Sequence, residues 1–533
     1  MNKPVQSQPV TFTKTEKDTF QPAIDDTVVL CTLNARYIHA SLGLRYLQAN
    51  MGALQANTSI LEFTINQRVV DIAEQLLKAN PRIIGFGVYI WNIKETTELV
   101  SLIKKIKPTI KIIVGGPEVS YEYEDTRIFL EADYLITGQA DLDFTRVCKD
   151  IFQDTASIPK IHHAETPAVK DLKFPYYLYN DEDIKNRVLY VEASRGCPFK
   201  CEFCLSALDK TAWPFELDKL LQEIDTLYMR GARQFKFVDR TFNLKISNCA
   251  TILQFFLDRL TPDNNLFLHF EVIPDKLPDT LQQQIRKFPS GSLQFEIGIQ
   301  SFNTAVQQTI NRKQNIEATI KNLQWLNQHS NAHIHADLIF GLPGETLDTF
   351  ARGFDQLVSL KPDEIQLGVL KRLRGSPIIK HTEAFAMCYS DEAPYQLLQN
   401  RDIDFQTMQR VQRFSRYWDL IANSGRFKNT LPLLLGEEPF KRFMQISDKL
   451  FGDTGQTHKI SYNRLLELVY KLAVEADLAD RSALQKTLAQ DCKNNGDAHP
   501  PRWLREYMPA ENNVSTRGVS SIPPRQNRHL TTN

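Results

Sequence analysis

Several things are scarce or missing in this chain of 533 residues. No apolar run approaches the roughly 18–20 residues that a membrane-spanning helix needs. Neither sign of charge is in excess: Lys+Arg and Asp+Glu each number 63, so no net field draws the chain to a membrane, and nucleic acid is not an expected partner. Residues 1–21 are polar and carry no apolar stretch of the signal-peptide kind, so a cytoplasmic location is expected. No G-x-G-x-x-G follows a strand-like run, which makes a dinucleotide site a poor reading. Cysteine is sparse, with eight residues, and five of them are scattered. A disulfide framework is therefore not expected, and Cys31, Cys148, Cys249, Cys388 and Cys492 read as small buried apolar residues. What remains is the composition of a globular protein, 42% hydrophobic and 24% charged, long enough for about three domains.

The other three cysteines stand together, as Cys197-Pro-Phe-Lys-Cys201-Glu-Phe-Cys204. Three thiolates within eight residues can face one iron–sulfur cluster from a single loop. Three ligands to a four-iron cube leave one iron open for chemistry. The spacing departs from zinc patterns, which pair two C-x2-C halves or add histidines at short intervals. The alternatives are three unrelated cysteines, or a zinc site completed by a distant ligand.

The stretch from Val191 to Cys204, VEASRGCPFKCEFC, resembles the cluster loop of radical S-adenosylmethionine (SAM) enzymes. That resemblance implies a 4Fe–4S cluster on Cys197, Cys201 and Cys204, with SAM chelating the open iron. It implies reductive cleavage of SAM to a 5′-deoxyadenosyl radical, and a reductant such as flavodoxin or ferredoxin as partner. Phe203, directly before the third cysteine, is then expected near the adenine.

Residues 25–156 alternate strands and helices. Strands are expected at 27–33, 58–64, 82–90, 111–117 and 133–136, with helices between them. Such alternation makes a doubly wound, Rossmann-like parallel sheet whose ligands lie over the carboxyl ends of the strands. Tyr89, Trp91, Gly115, Gly116, Pro117 and Gly138 gather there, and paired glycines let a backbone approach a large ligand. This order of motifs resembles the cobalamin-binding domain that precedes many radical SAM cores, which implies cobalamin as a cofactor. The D-x-H-x-x-G motif of other cobalamin proteins is absent. His39 is thus expected in a loop or as a support behind the site, with Tyr89 or Trp91 covering the lower face of the cobalt.

Residues 157–184, with three prolines, read as a linker, and His162-His163 within it as solvated or as supports behind a site. Over 185–400 six strands are expected, at 190–194, 234–239, 266–272, 292–299, 333–339 and 364–370, with a helix at 213–231. The resemblance implies a partial (β/α)6 TIM-type barrel. Asp239, Glu271, Glu296, Gln300 and Asp337 fall near strand ends, where barrel chemistry collects. The stretches around Asp239, Glu296–Gln300 and Arg312 resemble cofactor-contacting parts of the family, and Arg312 is the candidate partner of the SAM carboxylate. Residues 401–508 read as an all-helical module expected to cap the barrel mouth. Segments 1–24 and 509–533 read as disordered tails. Together these imply an α/β enzyme, a cobalamin-dependent radical SAM C-methyltransferase. The alternatives are a non-methylating cyclisation, rearrangement or oxidation, or a non-catalytic cluster-binding protein.

Overall fold

The computed structural model describes residues 20–155, 157–209, 211–496 and 500–508, together with Arg525 and Arg528. The expected tails fall largely outside these residues. The first sheet holds β1 (Val28–Asn34), β2 (Thr58–Thr64), β3 (Ile83–Gly87), β4 (Lys111–Gly115), β5 (Tyr134–Thr137) and β6 (Ile161–His163). All are parallel, in the order β2-β1-β3-β4-β5-β6. All seven residues of β1 are buried, because helices cover both faces of the sheet. Val29, Cys31 and Leu33 pack to one side and Val28 and Leu30 to the other, the alternation a pleated strand imposes. The order reverses between β1 and β3, which opens a crevice at the carboxyl ends of those two strands.

β6 corrects the expected linker. Three residues are too few to show periodicity, yet Ile161–His163 pairs with β5 in register and extends the sheet. His163 is not simply solvated, since its ring Nδ1 lies 3.0 Å from Thr137 Oγ1.

The second sheet begins with β7 (Leu189–Val191). A small antiparallel hairpin of β8 (Ser194–Gly196) and β9 (Ala212–Pro214) follows. The helix expected from 213 starts only at Leu217, because Ala212–Pro214 is spent on pairing with β8. Then come β10 (Gln234–Phe237), β11 (Phe267–Val272), β12 (Leu293–Gln300), β13 (His333–Phe340) and β14 (Glu364–Val369). The six parallel strands run β7-β10-β11-β12-β13-β14, each beside its neighbour in sequence, as in a partial barrel.

Both open edges are blunted by side chains. On β7 the Tyr179 hydroxyl accepts from the Tyr190 N–H (3.1 Å) and donates to the Tyr190 carbonyl (2.8 Å). Tyr176 does the same for Glu192 (3.0 and 3.3 Å). At β14 the Asn423 amide accepts from the Ile365 N–H and donates to its carbonyl, both at 2.9 Å. Ser415 donates to the Leu367 carbonyl at 2.8 Å. These groups stand in for a missing strand and keep the edges from pairing elsewhere. The helical module, led by Phe405–Ile421, packs on the β14 edge, whereas the sequence predicts it over the mouth. A last small pair, β15 (Cys388–Tyr389) with β16 (Leu397–Gln399), leaves Cys388 exposed, against expectation.

Candidate active site

The cysteine loop leaves β8 at Gly196, whose φ is +94°. A side chain there would collide with the Thr211 carbonyl, so glycine makes the turn into Cys197. Behind the turn, Asp239 accepts from the Ala193 N–H (2.8 Å) and the Ser194 hydroxyl (2.6 Å). Burial pushes its carboxyl up to about 7. Farther along, the Glu202 N–H donates to the Ile310 carbonyl at 3.0 Å, and the Glu202 carbonyl accepts from the Ile378 N–H at 2.8 Å. The buried Glu202 carboxylate takes Lys380 and, at 2.6 Å, the His381 ring. The loop is thus held at both ends before any cofactor is considered.

All three cysteines line one cavity, together with Phe203, Arg240, Glu271, Gln300 and Arg312. The Arg312 guanidinium donates to the Gly298 carbonyl, to Gln314 Oε1 at 2.8 Å and to Cys201 Sγ at 3.6 Å. Burial pushes the thiols of Cys197 and Cys201 up, and Arg312 pulls against this at Cys201. Among the described residues, no three Cys, His, Asp or Glu side chains converge as the ligands of a single metal ion would. The three thiols do line one space, and cysteine thiolates are the usual protein ligands of an iron–sulfur cluster.

A second, larger cavity of about 860 Å³ lies between the carboxyl ends of the first sheet and the barrel mouth. On the first-sheet side it is lined by Gly87, Gly115, Gly116 and Gly138 and by the rings of Tyr89 and Trp91. The two rings stack at 4.5 Å with 5° between their planes. The buried Asn92 fixes their loop at the β1/β3 crevice. Its oxygen accepts from the Tyr89 N–H (2.8 Å), and its amide donates to the carbonyls of Leu33 (3.0 Å) and Gly87 (3.2 Å). Trp91 Nε1 also donates to Leu33, at 3.2 Å. Gly116 has φ +116°, and a Cβ there would strike the Val88 carbonyl. The bare glycine floor and the breadth of the space fit a large flat ligand such as a corrin.

The barrel side of this cavity carries Tyr190, Glu192, Arg195, Lys236, Arg240, Glu271 and Glu296. Glu296 Oε2 lies 2.9 Å from His269 Nε2 and 3.3 Å from Lys236 Nζ. Burial opposes ionisation there, but the hydrogen bond from His269 and the Lys236 charge hold the Glu296 carboxyl well below the usual range. His39 from the first domain reaches the Tyr190 hydroxyl at 2.7 Å, so it spans the domain boundary. Burial, with the charge of Lys236 and Arg36, pushes its pKa down.

The sequence-predicted residues therefore divide between two sites. Phe203, Gln300 and Arg312 share the cavity with Cys197, Cys201 and Cys204. Glu296, Tyr89, Trp91, Gly115, Gly116 and Gly138 line the larger one, and Glu271 lines both. Asp239 and Pro117 line neither, and Pro117 starts the short helix Pro117–Val119. Asp337 also lines neither; it stands 3.3 Å from His335. Sequence reasoning missed Tyr190, Arg195, Glu202 and Lys236 as site residues. Lys236, alone and charged between Phe235 and Phe237, was a readable signal of an inward polar position.

Three family models match. One is the B12 binding domain over residues 28–147, and the second is the radical SAM superfamily over 191–357. The third is a family of unknown function, DUF4080, over 383–521. The chain is 22% identical over 328 residues to the cobalamin-dependent radical SAM methyltransferase TokK of Streptomyces tokunonensis, covering 54% of this chain and 47% of TokK. It is 23% identical over 308 residues to 2-(S-pantetheinyl)-carbapenam-3-carboxylate methyltransferase of Streptantibioticus cattleyicolor, covering 52% and 45%. The chain thus spans about half the length of these curated relatives. Among solved structures, the cobalamin-dependent radical enzyme OxsB with aqua-cobalamin and SAM bound superposes with TM-score 0.58 at 15% identity, over 88% of this chain and 84% of OxsB. TsrM from Kitasatospora setae, with cobalamin and a [4Fe-4S] cluster bound, gives 0.55 at 15% identity, over 70% and 79%. At these identities the two structures speak for the fold. The chain thus joins a B12-binding domain on the first sheet to a radical SAM domain on the second, with three thiols around one cavity between the loops of the latter.

Proposed function

We propose that this protein is a radical SAM enzyme that transfers a methyl group to a carbon atom of its substrate, with cobalamin held in the larger cavity. The observation that carries the reading is the pair of cavities: three thiols around one, a glycine-floored space of about 860 Å³ beside it, and Arg240 and Glu271 bordering both. When bound, the cluster supplies the electron that splits SAM into methionine and a 5′-deoxyadenosyl radical, and cobalamin supplies a carrier for methyl. The description of TokK and of the carbapenam enzyme as methyltransferases supports the same reaction class.

The chain's own residues would prepare that chemistry. Cys197, Cys201 and Cys204 bind as thiolates. Arg312, already oriented by Gly298 and Gln314, offers a planar fork to the SAM carboxylate. Phe203 packs beside the adenine. The stacked rings of Tyr89 and Trp91 would wall cobalamin on the first-sheet side and shield it from water. Glu296, kept ionised by His269 and Lys236, would give the barrel mouth a fixed ion pair with Lys236 facing the substrate.

The test is anaerobic incubation of reconstituted protein, hydroxocobalamin, dithionite and SAM carrying a deuterated methyl group. Deuterated methyl on cobalamin together with 5′-deoxyadenosine is the expected result. 5′-Deoxyadenosine without methyl transfer would support cyclisation, rearrangement or oxidation. Absence of both, with the cluster present, would overturn the enzymatic reading.

A further inference from the structure

Arg195 lines the larger cavity and stands on β8, the strand that runs into the cysteine loop, two residues before Cys197. Its guanidinium donates to Glu192 Oε1 at 2.6 Å, to Asp141 Oδ2 at 3.0 Å and to Gln139 Oε1 at 3.4 Å. Gln139 and Asp141 belong to the loop after β5 that walls the larger cavity beside Gly138. The same guanidinium lies over the Tyr46 ring, 4.7 Å from its centre, on the helix Leu42–Ala49 that borders the cavity from another side. The ion pairs are buried: the side chains of Arg195, Glu192 and Asp141 are 18%, 8% and 12% exposed.

A surface pair could be broken at little cost, since water takes over each charge. Here, pulling Asp141 away would leave a buried carboxylate and a half-satisfied guanidinium, which is strongly unfavourable. The loop 138–141 and the turn into Cys197 therefore cannot shift independently. Arginine suits this place because its rigid fork serves several acceptors at once, where a lysine would serve one carboxylate.

We propose that Arg195 is a positioning residue that couples the two cofactor sites, so that cobalamin in the larger cavity and a cluster on the cysteine loop each bind more tightly when the other is present. The proposal rests on the reading of both sites given above. Coupling of this kind is reciprocal, and its usual size is roughly 5–150-fold in affinity.

The experiment titrates hydroxocobalamin anaerobically into the full chain with the cluster reconstituted, and into the same protein after the cluster has been stripped by a chelator. Corrin absorbance reports binding. Wild type should bind about tenfold more tightly with the cluster in place. In Arg195→Met the two affinities should converge. Asp141→Leu removes the acceptor and so cuts the same link from the opposite side; it should do the same, so it decides the matter if Arg195→Met does not fold. Arg195→Lys should keep part of the difference. Equal affinities in wild type, or an undiminished difference in the two cutting variants, would overturn the coupling while leaving cobalamin binding intact. Failure of hydroxocobalamin to bind either form of wild type would overturn the cobalamin reading and the coupling with it.

Discussion

Asp239 works from behind the site, holding the Ala193–Ser194 turn that aims the cysteine loop. Its pKa of about 7 lies above the ordinary carboxylate value because burial penalises the charge. Folding then takes up a proton at this group between about pH 4 and about pH 7. The stability it contributes is fully present below that window and is lost as pH rises through it. Asp239→Asn stays neutral and can still bond both neighbours. Its melting temperature should gain on wild type from about pH 4 to about pH 7 and then run parallel. A gap that does not change with pH would mean the carboxyl is ionised throughout. Arg312 calls for a different measurement, because it faces the cysteine cavity. On the proposed reading Arg312 would grip the SAM carboxylate through a charge-assisted bidentate contact worth about 1.5–3 kcal/mol, so in Arg312→Met SAM should bind roughly 10–150-fold more weakly by equilibrium dialysis. Unaltered SAM affinity would assign Arg312 to holding Gly298 and Gln314 alone.

At the scale of elements, an open barrel exposes two rows of backbone groups, and this chain satisfies them with side chains. Tyr179→Phe strips the hydroxyl that serves both the N–H and the carbonyl of Tyr190. Asn423→Ala leaves the buried backbone of Ile365 without its partner. Each substitution should cost about 1–3 kcal/mol per group left unsatisfied, read as a lower urea midpoint. Hydrogen exchange should accelerate locally, at the Tyr190 amide in the first variant and the Ile365 amide in the second. Uniform acceleration across the sheet would show that these contacts carry global stability and do not act as edge caps. The helical module thus completes the second sheet from the side, and the mouth stays open toward the first domain.

For the whole molecule, the larger cavity exists only because two sheets face each other, and the contacts that hold them together surround it. His39 meets Tyr190, Arg45 meets Asp183 at 2.7 Å, and Arg195 meets Asp141. On another flank Glu118 is buried against Arg374 and Tyr395. A ligand bound between the sheets should therefore stabilise both at once. At a hundredfold excess over Kd it would add about 2.7 kcal/mol. Hydroxocobalamin should raise the melting temperature and slow hydrogen exchange in Gly85–Asn92 and in Tyr190–Glu192 together. Protection confined to the first segment would place the ligand on one domain alone.

How much of this was written in the sequence depends on whether the signal is local. The cysteine loop was legible because its three cysteines sit within eight residues, and the strand–helix alternation because each strand carries its own pattern. Tyr89, Trp91 and Gly116 could be placed at strand ends for the same reason. The order β2-β1-β3 and the crevice it opens could not, since strand neighbours are chosen by packing over long sequence separations. Nor could β6, three residues long, or the pairing of Arg195 with Asp141 across 54 positions. Sequence alone determined which chemistry the chain can host; tertiary structure decided which residues share a cavity, because burial and charge pairing act through space and leave no periodic trace along the chain.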